Sequence, residues 1–161
     1  MTLDEFMDAF GGAYEHSPWA ARRAYAPDLN SPCCVIPAMR KAVDAANADE
    51  QDALIKAHPD LAGKLAVSGG LTAASSNEQA GAGLDQCSHR ELKKFQKYNA
   101  AYKDKFGFPF IVAVKGLGRK DILKAFKKRL KNGEAEERQT ALAQIHKIAA
   151  IRIQGWYDDN T

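Results

Sequence analysis

Apolar residues recur every three or four positions along most of this chain, the spacing of a helix with one buried face. Near the start, Leu3, Phe6 and Phe10 form such a series, and Thr2 with Glu5 supplies the capping box that begins a helix. Near the end, a longer series follows one predicted helix: Ala141, Leu142, Ile145, Ile148, Ala149 and Ile153. The pattern predicts an all-α protein, a bundle of about seven to nine helices.

One stretch departs from the helical pattern. Residues 108–116, FPFIVAVKG, are rich in the aromatic and β-branched residues typical of a strand. No second strand-like run is present to pair with it, and a single strand leaves its own backbone groups unsatisfied. We therefore interpret 108–116 as an extended, mostly buried segment between helices, whose N–H and C=O groups are offered to a ligand.

Composition bounds the class of protein. The 161 residues suit one domain with a sizeable core, and we predict a single domain over residues 1–161. The net charge of +3 permits an anionic small ligand or a weak interaction with nucleic acid. Three cysteines without CxxC spacing indicate a reducing compartment rather than a zinc site. No membrane-length apolar run and no signal-peptide pattern is present, so we expect a cytoplasmic protein with no membrane partner.

Two groups able to move protons flank a turn-rich segment. His58 stands at a predicted helix boundary, because a proline follows it. A short helix predicted over 60–67 and a Gly/Ser/Thr-rich loop over 68–76 come next, and then Glu78. Histidine ordinarily titrates near neutral pH, and a carboxylic acid can donate a proton when its surroundings raise its pKa. The plainer interpretation is a helix-end histidine and a capping box formed by Ser75 and Glu78.

Arg152 lies beside the apolar stripe of the last helix, where a charge is costly unless it meets an anion. A ligand carboxylate is one such anion, and a structural acid is the alternative. The remaining histidines, His16, His89 and His146, fall on separate elements and are interpreted as surface residues, so no metal site is predicted.

A basic cluster supports a different class of function, a helical module that binds nucleic acid or an acidic partner. Its members lie on one predicted helix and just after it: Lys120, Lys124, Lys127, Lys128, Arg129 and Lys131. Acidic residues follow directly at 134–137, and the aromatic residue among the lysines, Phe126, falls on the predicted inward face, where it cannot stack on bases. We therefore favour a small-molecule site and expect no nucleic-acid partner.

Five motifs in order carry a resemblance to a known enzyme family. They are EHSPW at 15–19, HPDL at 58–61, SxxEQ at 75–79, FPFIVAVKG at 108–116 and ALxxIxxIAxxR at 141–152. Together they resemble the 2-oxo-4-hydroxy-4-carboxy-5-ureidoimidazoline (OHCU) decarboxylases of urate degradation, over about residues 6–153. One departure is Arg22, which stands where the family pattern leads us to expect an acid. A lyase acting on a different ureido acid stays open as an alternative.

The resemblance implies an all-helical homodimer that converts OHCU to (S)-allantoin and carbon dioxide without a metal or organic cofactor. Position by position, it implies that His58, Glu78 and Arg152 are catalytic. It implies substrate binding by a larger set: Pro59, Ser75, Gln79, Phe110, Ile111, Val112, Ala113, Val114 and Lys115.

Overall fold

The computed structural model of the chain describes residues 1–63 and 69–161. Regular structure in those ranges is helical and contains no strand, which confirms the all-α prediction. The helices are α1 (Leu3–Phe10), α2 (Trp19–Ala24), α3 (Pro32–Asp44), α4 (Ala48–Lys56), α5 (Ala73–Gly81), α6 (His89–Phe106), α7 (Arg119–Arg129) and α8 (Glu134–Asn160), with a 3-10 turn at Leu84–Gln86. None of these described helices is long and apolar enough to cross a membrane.

Capping residues next to these helices determine where several of them begin and end. At α1, Thr2 Oγ1 accepts the N–H of Glu5 and the Glu5 carboxylate accepts the N–H of Thr2, so the predicted capping box is confirmed. At the end of α6, Gly107 has a φ of +75°, a left-handed conformation that glycine adopts without strain. The short helix predicted over 60–67 is wrong for residues 60–63, which form a turn and no helix. The rest of that prediction and Ser68 of the predicted loop lie outside the described ranges.

One compact unit comprises Met1–Ala57 and Ile145–Thr161. Its core is aromatic: the Phe6 and Phe10 rings meet edge-to-face at 4.9 Å, and Trp156 meets Phe10 in the same way at 5.0 Å. Such pairs add specific geometry to the burial of apolar surface. The prediction of a single domain over 1–161 stays a prediction.

The second compact unit is His58–Gln144. Its centre is the fully buried Phe95, Tyr102, Phe110 and Phe126, and the Phe110 and Phe126 rings stack with centroids 3.7 Å apart. This stacking anchors the 108–116 segment to α7. Residues 108–114 have no regular secondary structure and are mostly buried, as the sequence predicted.

Candidate active site

His58 lies two residues beyond the last residue of α4, in a bend of the chain, and is 8% exposed. The helix stops there because Pro59 carries no N–H and disfavours helical geometry at the residue before it. The predicted place of His58 at a helix boundary is confirmed. At this exposure most of the imidazole is shielded from water.

A loop of three residues just beyond this histidine is held by two side-chain amides. Gln79 on α5 accepts the N–H of Ala62 on Oε1 at 3.0 Å and donates from Nε2 to the C=O of Asp60 at 3.2 Å. Asn99 on α6 donates from Nδ2 to the C=O of Leu61 at 2.9 Å. Both amides are at least nine-tenths buried, so water does not compete for these bonds. We call these three residues the 60–62 loop.

The 60–62 loop is further fixed at each end. Asp60 accepts an ion-paired hydrogen bond from Lys103 Nζ at 2.7 Å. Ala62 has a φ of +50°, in the left-handed region where a side chain is strained. A strained alanine persists only where its surroundings determine its conformation, and here the bond from Ala62 N–H to Gln79 does so.

The face of α5 that meets this loop carries the other predicted site residues. Ser75, Glu78 and Gln79 lie three and four positions apart, on one side of the helix. Ser75 is buried and Glu78 is half-buried. Gln79 connects this face of α5 to the 60–62 loop, because its side-chain amide bonds to the loop backbone.

The interpretation of Ser75 and Glu78 as a capping box is wrong. The residue that caps α5 is Thr72, whose Oγ1 accepts the N–H of Ser75 at 3.2 Å. Ser75 therefore stands inside the first turn, and the end of the helix does not need its hydroxyl. Ser75 and Glu78 are therefore not the capping pair of α5, and the substrate-facing roles that the family resemblance implies for them stay predictions.

The 108–116 segment is held by side chains of its own unit. The C=O of Ile111 accepts from Arg129 Nη1, and the N–H of Ala113 donates to Gln144 Oε1 at 2.9 Å. Two of the backbone groups predicted to be offered to a ligand are thus already bonded. The predicted substrate-binding residues here range from buried (Phe110, Ile111, Ala113 and Val114) through half-buried (Val112) to exposed (Lys115).

Arg129 was predicted to belong to the basic cluster of its helix, but in the structure it belongs to a buried charged cluster. It is 7% exposed, its Nε donates to Glu137 Oε1 at 2.5 Å, and its guanidinium lies 4.4 Å above the Phe110 ring. Glu137 is fully buried and also accepts from the Tyr102 hydroxyl at 2.6 Å and from Asn132 Nδ2 at 3.0 Å. Burial, followed by the bond to Glu137, raises the pKa of Tyr102.

Arg152 lies in the other unit, on α8, and meets a structural acid. Its Nη1 donates to Glu15 Oε2 at 2.8 Å and to the C=O of Gly12 at 3.2 Å. The side chains of Arg152 and Glu15 are 11% and 2% exposed. The ion-pair alternative for Arg152 is therefore observed, and a guanidinium has five N–H donors to share among several acceptors.

His146 is buried, so its interpretation as a surface residue is wrong. It is 8% exposed and lies between the Tyr14 hydroxyl, 2.7 Å from Nδ1, and Asp44 Oδ1, 2.9 Å from Nε2. His16 and His89 are exposed, as expected. Within residues 1–63 and 69–161, no three His, Cys, Asp or Glu side chains are grouped so as to hold a metal ion.

A cavity of about 370 Å³ adjoins α5 and the 60–62 loop. It is lined mainly by apolar residues and shares only Ala62 and Gln79 with the contacts of the 60–62 loop. His58, Ser75 and Glu78 do not line it. The cavity therefore includes one predicted substrate-binding residue, Gln79, and none of the predicted catalytic residues.

Asn99, Gln144 and the buried state of Arg129 were not found from the sequence. For Asn99 a signal was present, because it stands four residues after Phe95 and three before Tyr102 on the apolar stripe of α6. A polar residue in a buried stripe requires a hydrogen-bond partner. Nothing in the sequence identified that partner as a backbone carbonyl 38 residues earlier.

Several known proteins are similar to this chain in sequence or in fold. The chain is 41% identical to the 2-oxo-4-hydroxy-4-carboxy-5-ureidoimidazoline decarboxylase of Haloferax volcanii over 93% of its own length and 88% of that protein. It is 39% identical to the decarboxylase of the same name from Halalkalicoccus jeotgali, over 94% and 84% of the two chains. A crystal structure of (S)-allantoin synthase superposes with a TM-score of 0.76 at 28% identity, covering 97% of this chain. The chain spans about half, 51%, of that synthase.

These likenesses define an all-helical enzyme of the carboxy-lyase class. The chain belongs to the OHCU decarboxylase family, whose model matches residues 1–154. The resemblance read from the five motifs is thereby confirmed.

Proposed function

We propose that this protein decarboxylates OHCU to (S)-allantoin and carbon dioxide in urate degradation. Family membership supports the reaction. The structural observation that carries the proposal concerns the 60–62 loop, just beyond His58. The two bonds of Gln79 join this loop to the Ser75–Gln79 face of α5. This places a buried imidazole and a carboxyl-bearing helix face in one unit, as cofactor-free proton transfer requires.

The chemistry of the substrate explains why such residues suffice. When the bond from C4 to the carboxylate breaks, carbon dioxide leaves and the electron pair forms a C4=C5 double bond. The electrons of the neighbouring C5=N bond move onto nitrogen, so the ring itself is the electron sink. Transfer of the 4-hydroxyl proton to a base then gives the C4 carbonyl, and a proton added to one face of C5 gives a single enantiomer. The ring nitrogen that received the electrons takes up a further proton from water, which is the net proton consumed when the carboxylate leaves as carbon dioxide. The protein must orient the ring, accept one proton and return one.

His58 and Glu78 are the proposed proton carriers. In our proposal His58 interacts with the 4-hydroxyl and carboxylate and transfers a proton, and Glu78 with Gln79 holds the ureido or ring nitrogens. Delivery to C5 falls to either His58 or Glu78, and single substitutions separate the two. Ser75 and Pro59 complete the binding residues on this side of the site.

The remaining predicted roles rest on the family resemblance. In our proposal, backbone groups within 110–115 contact the substrate. They are groups other than those already bonded to Arg129 and Gln144. Arg152 neutralises negative charge on the substrate, and its buried pairing with Glu15 keeps the guanidinium ordered. We further propose a cytoplasmic homodimer without a nucleic-acid partner. The three cysteines, which form no disulfide, are consistent with a reducing compartment.

Stereochemistry provides the decisive test, because OHCU decays spontaneously to racemic allantoin. OHCU is generated in situ from urate, and allantoin is followed by circular dichroism. We expect rapid formation of one enantiomer, lost in His58→Ala and Glu78→Gln and retained in the exposed-site controls His89→Ala and Glu136→Gln. Racemic product at the spontaneous rate from the unaltered protein would overturn the proposal.

A further inference from the structure

We propose that Asn99 is a positioning residue for His58, acting through the 60–62 loop. Its catalytic consequence rests on the proposed function, whereas its effect on the loop does not. Asn99 belongs to neither the HPDL nor the SxxEQ motif, and its contact is with backbone only: Nδ2 donates to the C=O of Leu61 at 2.9 Å.

Each of the three residues of the 60–62 loop has one backbone group bonded to a side-chain amide. Gln79 on α5 bonds the first and the last, Asp60 and Ala62, and Asn99 on α6 bonds the middle one. The loop is thus fixed from two different helices. The C=O of Leu61 and the N–H of Ala62 belong to one planar peptide group, so Asn99 and Gln79 hold that group from opposite edges. With Asn99 removed, the peptide is held only by the bond from Ala62 N–H to Gln79 and can rotate about it.

The environment of Asn99 indicates that stability alone does not account for it. The residue is 4% exposed and lies on the apolar stripe of α6, between the fully buried Phe95 and Tyr102. Its Oδ1 is buried and makes no hydrogen bond in the described part of the chain. A buried amide with one unsatisfied atom costs more than a leucine of similar size in the same stripe. What the asparagine supplies, and the leucine lacks, is the donor to Leu61.

The link to the imidazole is short and stiff. Only Pro59 and Asp60 separate His58 from Leu61, and the proline ring fixes one of the intervening dihedral angles. Rotation of the Leu61 peptide is therefore transmitted toward His58. Catalysis is sensitive to such movement, since a displacement of about 1 Å at a reacting group can cost on the order of 100-fold in rate.

The test uses Asn99→Leu, which keeps the branching and the number of side-chain heavy atoms and removes the donor, with Gln96→Ala as a control at an exposed position of the same helix. We expect kcat for (S)-allantoin formation to fall by about 10- to 100-fold in Asn99→Leu, while KM changes by less than about threefold. Asn99→Asp, which keeps the shape but replaces the donor with an acceptor, shows the same split. Gln96→Ala retains the kinetics of the unaltered protein.

Amide hydrogen exchange of Ala62 supplies a readout that does not depend on activity. We expect this amide to exchange at least about tenfold faster in Asn99→Leu than in Gln96→Ala, at a temperature where thermal denaturation shows both variants to be folded. Unchanged kcat, a change confined to KM, or unchanged exchange at Ala62 overturns the inference. If the unaltered protein gives only racemic allantoin, the proposed function fails, and the exchange measurement still decides the role of Asn99 in the loop.

Discussion

The side-chain amide of Gln79 accepts the N–H of Ala62 at 3.0 Å, although 17 residues separate the two along the chain. The family resemblance implies that Gln79 binds substrate, and the structure shows that it also holds the 60–62 loop. The two roles are compatible, because an amide nitrogen carries two hydrogens and the bond to Asp60 uses one of them. The bond also holds Ala62 at a φ of +50°, where an alanine is strained.

Replacing Ala62 with glycine should relieve this strain. A left-handed alanine costs about 1–2 kcal/mol, and glycine avoids that cost while losing some chain entropy on folding. We expect the free energy of unfolding of Ala62→Gly to be unchanged or higher by up to about 1 kcal/mol. Urea denaturation measures it.

The matched control is Ala101→Gly, an exposed position within α6. There the same substitution enters ordinary helical backbone and should lower the free energy of unfolding by about 1 kcal/mol. Equal losses in the two variants would show that the backbone at Ala62 is not strained.

The start of α5 can be tested with two neighbouring hydroxyl residues. Thr72→Ala removes the N-cap and should lower the free energy of unfolding by about 1 kcal/mol. Ser75→Ala removes a buried hydroxyl from the proposed substrate face. It should raise KM and should lower the melting temperature by less than Thr72→Ala does. Ser76→Ala, at an exposed position of the same turn, is the control for both. A larger loss of stability in Ser75→Ala than in Thr72→Ala would restore the capping role of Ser75.

The fold class followed from the sequence because helices are specified locally. The spacing of Leu3, Phe6 and Phe10, the pairing of Thr2 with Glu5 and the glycine at 107 each act within a few residues, and the structure contains each feature. The Ser75–Glu78 pattern misled for the same local reason. Three hydroxyl residues, Thr72, Ser75 and Ser76, stand near the start of α5, and which of them caps the helix depends on where the preceding chain enters it.

The site was only partly predictable. Motif resemblance predicts His58, Glu78 and Gln79 as site residues, but it does not predict the backbone partners of Gln79. Those partners, like the bond from Asn99 to Leu61, join positions 17 to 38 residues apart and depend on tertiary packing. Arg129 was misplaced because its helix reads as basic throughout, and only packing shows which side chain turns inward.

Breaking the Arg129–Glu137 pair should strongly destabilise the fold. Glu137 is fully buried, so Arg129→Met leaves a carboxylate without its cation, at a cost of about 3–5 kcal/mol. The substitution also removes a donor to the C=O of Ile111. We therefore expect a lower urea midpoint and, in variants that remain folded, a raised KM.

The control for this prediction is Arg23→Met, which breaks the exposed pair of Arg23 with Glu50. Exposed pairs contribute little, because water and salt screen them. Its urea midpoint should stay close to that of the unaltered protein. Comparable losses in Arg129→Met and Arg23→Met would mean that burial does not set the value of the Arg129 pair.

His146 should make stability depend on pH in a defined direction. Burial lowers the pKa of His146 below its ordinary value of 6.5; nearby Arg40 lowers it further, and the opposing effect of Asp44 is smaller than that of burial. The neutral ring satisfies both neighbours, with Nε2–H donating to Asp44 and Nδ1 accepting from the Tyr14 hydroxyl.

Below pH 6.5 the unfolded chain therefore takes up a proton that folded His146 resists. The stability from His146 is present in full above that pH and is lost as the pH falls from it toward the lowered pKa of the folded state. The difference in unfolding free energy between the unaltered protein and His146→Gln should shrink from about pH 7.5 to about pH 5.5 in urea titrations. His89→Gln, at an exposed position, should follow the unaltered protein at both values. A difference that grows on acidification would mean that folding favours the charged ring, contrary to the burial argument.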